Sequence, residues 1–159
     1  MNQAHLHLLF NHLPIIFPIA ATFVLVAGMV LRLEVVKRTA FALFVLGALF
    51  TIPAGATGEG AEELIEEMAG VSHDLIHEHE EMAEKFAFAS YALGLLGALA
   101  FWASFKKKPF AGIMGIIVLI MGLGTLFLAS KTGTSGGEIR HPEIRSQQTT
   151  DASNSSEKD

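Results

Sequence analysis

The stretch FAFASYALGLLGALAFWASF, residues 86–105, carries no charged side chain and is bracketed by Lys85 and Lys106. Twenty residues in a helix span about 30 Å, the thickness of a bilayer's hydrocarbon core. A helix buried in a water-soluble protein keeps a polar face toward solvent, and this segment has almost none. It reads as a membrane-crossing helix.

Three more blocks of the same kind flank it: Pro14 to Leu33, Thr39 to Ala56 and Pro109 to Ser130. The apolar fraction of 51% is concentrated in these blocks instead of being spread at the periods of a soluble fold. In 159 residues that leaves room for one compact domain, an all-α integral membrane four-helix bundle over residues 1–145. The remainder, SQQTTDASNSSEKD (residues 146–159), is too polar to bury a core and is expected to be a disordered tail. Cysteine is absent, which excludes disulfides, thiolate metal sites and covalent c-type haem attachment.

Charge orients the bundle. Arg32 at the very end of the first block is followed by Lys37 and Arg38 before the second, and Lys106, Lys107 and Lys108 lie between the last two. Short basic loops stay cytoplasmic, so both connections are expected inside. The connection between the second and third blocks is acidic up to Lys85 and belongs outside, with both termini on that side. A cleaved leader would want positive charge before the first block and small residues after it. The segment MNQAHLHLLFNHLP has no Lys or Arg, and the block ends in basic residues. The expected location is a bacterial cytoplasmic membrane, multi-pass, with N- and C-termini out.

All seven histidines fall on that outer side: His5, His7 and His12 before the first helix, His73, His77 and His79 before the third, and His141 after the fourth. In the outer connection, EGAEELIEEM (Glu59 to Met68) has the spacing of a short amphipathic helix lying on the outer face. Gly70 ends it, and Ser72 is a candidate N-cap for a helix that starts at His73 and protrudes about three turns above the membrane. After the fourth block, the glycines of KTGTSGGEIRHPEIR are read as turns.

At about 100° per residue, His79 shares a face with Phe86, Ser90, Gly94, Gly97 and Phe101. Small residues let membrane helices approach closely, so this is the expected bundle-facing side, with His79 at its outer mouth. His73 and His77, spaced i, i+4, lie on another face with Glu80, Glu81 and Glu84. That spacing suits two ligands on one divalent metal, with Glu80 or Glu84 adding oxygen, and equally suits a solvated surface. Of the N-terminal histidines, His12 is closest to the membrane and is the better ligand candidate; His5 and His7 are expected at the surface.

The combination NHLPI (Asn11 to Ile15), ATGEGAEE (Ala56 to Glu63), EHEEMA (Glu78 to Ala83) and SGGEIRH (Ser135 to His141) resembles a bacterial family of four-helix membrane proteins of unknown function. That family is grouped by remote similarity with the two-haem membrane cytochromes. The likeness covers roughly residues 5–145 and carries over to His12, Thr57-Gly58, His79-Glu80 and Gly136-Gly137 with His141; Leu13 stands where the family usually has Phe. The resemblance implies non-covalent haem b held by His12, His79 and His141. No histidine is available at the cytoplasmic depth for a second haem, which removes support for a transmembrane haem ladder.

The functional expectation is therefore a membrane b-type haem protein for electron transfer or redox sensing at the outer face. One alternative is an outer-face divalent-metal-binding protein using His73, His77, Glu80 and Glu84; another is a structural subunit of a membrane complex. Expected partners are the lipid bilayer, a redox partner or larger complex, and a second copy of the chain, with no nucleic acid. No nucleophile paired with a base and no phosphate-binding glycine loop points to an enzyme.

Overall fold

The computed structural model describes residues 2–66 and 72–145. Among these residues six helices of eight residues or more follow in order: α1 (Gln3–Phe10), α2 (Leu13–Val30), α3 (Glu34–Ala56), α4 (Gly58–Glu66), α5 (His73–Phe105) and α6 (Ala111–Arg140). Among the described residues there is no strand. Four helical runs are long and apolar enough to cross a membrane: Gln3–Val30, Glu34–Leu64, His73–Phe105 and Ala111–Ile139. Their outward faces are apolar too, with Phe23, Val30 and Phe88 each more than 70% exposed, as lipid-facing side chains should be.

The bundle is built on α3, which packs against α2 on one side and α5 on the other, while α6 packs against α5 and α2. Small residues set the spacing. A Cβ built on Gly94 would lie 2.3 Å from the Ala48 Cβ, and one on Gly97 would lie 3.1 Å from the Phe41 carbonyl oxygen. On the α2 side, Gly47 receives the Pro18 ring, whose Cδ would be 3.0 Å from an added Cβ. Around these contacts Phe41, Phe44, Leu25, Leu93 and Val118 form the buried core.

Polar groups inside the bundle are satisfied locally. The Thr22, Thr51 and Thr125 hydroxyls each donate to the carbonyl four residues earlier. The Thr51 proton goes to Gly47, so the contact at 2.9 Å between Thr51 and Ser90 is read as Ser90 donating across to Thr51, a hydrogen bond joining α3 to α5.

The structure departs from the sequence reading, or adds to it, at three places. The chain from Lys131 to Arg140 is not a set of turns; α6 runs through Gly133, Gly136 and Gly137 to Arg140. Glycine is tolerated there because the segment packs along the protruding part of α5, with the Thr132 hydroxyl donating to Met82 O at 3.0 Å. The N-terminal helix is broken at Asn11 and His12, where Pro14 opens α2 at its first turn and lacks the N–H that a continuous helix would need. Ser72 does stand at the N-cap position of α5, yet its side chain makes no capping bond. The short outer helix is present as α4 through Glu66; the expected stop at Gly70 and the tail at 146–159 lie outside the described residues.

Gly94→Ala should destabilise the bundle by about 1–3 kcal/mol, because Ala48 is backed by the α3 backbone and cannot swing away. Gly112→Ala, where nothing stands within 4 Å, should be neutral or slightly stabilising. Thermal midpoints of the two variants in detergent would test this, and equal midpoints would contradict the packing described.

Candidate cofactor site at the histidine-bearing end

At the end of the bundle that carries the N-terminus, His7 and His79 turn inward from different helices. His7 leaves α1 toward the last turn of α3, where carbonyls run out of intrahelical partners. Its Nδ1 lies 3.0 Å from Ala54 O and 3.4 Å from Thr57 Oγ1. A carbonyl only accepts, so Nδ1 carries a proton and donates it, while Nε2 is left bare of any partner among the described residues. Thr57 donates its own proton to Pro53 O at 2.8 Å, which fixes it as an acceptor toward the ring.

His79 stands on the protruding part of α5, above the apolar stretch that begins at Phe86. Its Nδ1 lies 3.1 Å from Ser135 Oγ, and Ser135 in turn donates to Thr132 O at 3.1 Å. With the hydroxyl proton so committed, His79 Nδ1 is the donor and Nε2 is again bare. The ring rests on Gly136: a Cβ there would sit 2.9 Å from His79 Cε1. Burial pushes the His79 pKa below the ordinary 6.5, and the charge interaction with His7 pushes the same way; the Thr132 carbonyl and Glu80 oppose them. Both rings are thus anchored through Nδ1, and burial favours the neutral form of His79. Among the described residues, neither Nε2 has a hydrogen-bond partner.

One turn beyond His7 on the same helix, Asn11 has a buried Oδ1 with no partner. A buried amide oxygen left unpaired costs free energy, and such atoms concentrate where a ligand or water completes the bonding. A groove of about 510 Å³ at this end, lined by Asn2, Ala4, His5, Leu8 and Leu9, runs along the outer side of α1 and not between the two rings.

The other sequence candidates are placed differently. His12 is exposed, with Nδ1 3.3 Å from Leu8 O on its own chain segment. His141 is exposed and bonds Glu143 Oε1 at 2.9 Å. His73, His77 and Glu84 are exposed on α5, and His77 lies 3.7 Å from Glu80. Among the described residues no three histidine or carboxylate side chains stand close enough to hold a metal ion. The expectation that His7 lies at the surface is corrected: it is half-buried and anchored, because the break at Asn11 and His12 turns the His7 face of α1 inward. The i, i+4 pairing of His7 with Asn11, two polar groups on one face of an otherwise apolar segment, was the available signal.

No family model, curated protein or solved structure matches this chain. The class defined by the fold is an all-helical bundle in which, among the described residues, four helical runs are long and apolar enough to cross a membrane.

Because the folded chain favours neutral His79, unfolding takes up a proton as pH falls below 6.5. Stability should then drop as the pH falls from about 7 through the lowered pKa, and level off below it. His79→Gln should flatten this acid-side loss, measured as thermal midpoints at several pH values. An unchanged slope would show that the ring titrates freely in the folded protein.

Proposed function

We propose that this chain is a membrane b-type haem protein, with both termini on the outer face of a bacterial cytoplasmic membrane, serving electron transfer or redox sensing there. The observation that carries the reading is the pair of inward histidines, each anchored through Nδ1 with Nε2 left without a hydrogen-bond partner. That is the donor set axial ligation of haem iron requires, and bonding at the far nitrogen orients such rings and raises their basicity. The pair draws on the same end of the fold as the set His12, His79 and His141 implied by the family resemblance, and replaces exposed His12 with anchored His7.

When bound, haem supplies one-electron exchange between its ferrous and ferric forms. The protein's own part is positional. Ala54 O and Ser135 Oγ hold the two rings, and Gly136 leaves room for the His79 ring against α6. The buried, unpartnered Asn11 oxygen, one helical turn along the chain from His7, is a polar position that still lacks a hydrogen-bond donor. Placing this end outside follows from the basic turns at the other end.

Protein purified from cells supplied with haem should show a Soret band with the sharp visible bands of bis-histidine iron. His7→Ala and His79→Ala should each abolish the six-coordinate spectrum, whereas His12→Ala and His141→Ala should leave it unchanged. Absence of a Soret band, or a band that persists in the His7→Ala, His79→Ala double variant, would end the proposal.

A further inference from the structure

The opposite end of the bundle holds two turns, α2 to α3 and α5 to α6, both built the same unusual way. In each, the helix closes with a pair of bonds: Leu33 N to Gly28 O at 3.0 Å with Arg32 N to Met29 O at 3.3 Å, and Lys108 N to Ala103 O at 2.8 Å with Lys107 N to Ser104 O at 3.1 Å. This closing motif puts one residue in the left-handed region, where glycine is strongly favoured. Here those residues are Arg32, at φ 56°, and Lys107, at φ 52°. A chain with fifteen glycines has placed cations at the two positions that most favour glycine. Strain kept at a surface turn calls for a function.

The two turns form one surface. The Glu34 carboxylate accepts from Ser104 Oγ at 3.0 Å, and Arg38 donates to Ser104 Oγ and Ser104 O, each at 3.0 Å, which clasps the start of α3 to the end of α5. Lys37 is spent on Glu34. Arg32, Lys106, Lys107 and Lys108 remain exposed, against no further carboxylate in either turn. Helix dipoles do not account for this surplus, because the C-termini of α2 and α5 and the N-termini of α3 and α6 meet here and cancel.

Aromatic rings fix the depth of the charges. Lys108 Nζ lies 5.6 Å over the Trp102 ring, while Lys106 Nζ, at 6.0 Å, and Arg38 Cζ, at 5.7 Å, lie over Phe105. Trp102, Phe105 and Phe110 are each 45–59% exposed at the end of the apolar belt, the level of lipid headgroups. Ammonium and guanidinium groups held at ring level face the phosphate layer of the bilayer instead of reaching into bulk water.

We propose that this surface is a binding site for the phosphodiester headgroup of an anionic phospholipid, seated between the Arg32 turn and the Lys106–Lys108 turn. The site is independent of the histidine-bearing end, and its occupant is a lipid because the cations are held at headgroup depth beside lipid-facing rings.

Trp102 is the only tryptophan in the chain and lies within the site, so its fluorescence reports which lipid is adjacent. Full-length protein would be reconstituted in phosphatidylcholine vesicles containing a minor fraction of either brominated phosphatidylglycerol or brominated phosphatidylcholine. Brominated phosphatidylglycerol should quench with an apparent affinity higher by about fivefold or more, the factor associated with a single cation near an anionic surface. Added salt should shrink that preference.

Arg32→Gly with Lys107→Gly removes two of the charges and relieves both left-handed residues, so folding is preserved while the preference falls severalfold. Exchanging Lys106, Lys107 and Lys108 for Arg should keep it. Equal quenching by the two lipids in the unaltered protein would overturn the proposal, as would a preference untouched by the glycine pair. The assay reads reconstituted protein in either orientation, so a role of these charges confined to membrane insertion would appear as equal quenching.

Discussion

The close approach of α3 and α5 is the contact on which the rest of the molecule depends. Gly94 lies so near Ala48 that the Ala48 methyl already fills the space between the two helices, and Gly97 stands as close against the Phe41 carbonyl. In a bilayer there is no hydrophobic drive between helices, so such packing, with the hydrogen bond that Ser90 donates to Thr51 beside it, is what would make two helices prefer each other to lipid. Since α5 is one continuous helix from His73 to Phe105, fixing its middle also fixes both ends. His79 is delivered to the mouth beside α6, and Ser104 is delivered to Glu34 and Arg38 at the start of α3.

The two ends are chemically opposite, and each uses the hydrogen-bonding capacity that helix ends leave over. At one end, a terminal carbonyl of α3 and a serine of α6 choose the tautomer of two histidines and leave the far nitrogens bare. At the other, two helices close through left-handed residues that are cations, beside rings that hold ammonium groups at a defined depth. Between them the core is apolar apart from hydroxyls that bond to their own helices or across one interface.

Most of the fold was legible because membrane segments obey a strong compositional rule. The apolar blocks located the crossings, and counting around α5 found its packed face: Phe86, Ser90, Gly94 and Gly97 are buried there, although Phe101, expected on the same face, is 39% exposed. What was not legible depended on partners. Glycines at 133, 136 and 137 look like turn residues in isolation and remain helical because α5 runs alongside and the His79 ring occupies the space over Gly136. Proximity to the membrane favoured His12 over His7, but the break at Asn11 and His12 sends those two side chains to opposite surroundings. The cations at Arg32 and Lys107 were visible as topology signals, while their left-handed backbone was not, since no local sequence rule places Arg or Lys there.

The proposed orientation puts the histidine-bearing end outside and the basic end inside, joined by the four long apolar helical runs. The absence of native cysteine gives a clean background for single-cysteine labelling in intact cells of a bacterial host with a membrane-impermeant thiol reagent. Ser72→Cys and Thr134→Cys should react from outside, whereas Arg32→Cys and Lys107→Cys should react only after the membrane is permeabilised. Labelling of Arg32→Cys or Lys107→Cys in intact cells, with Ser72→Cys and Thr134→Cys protected, would contradict it.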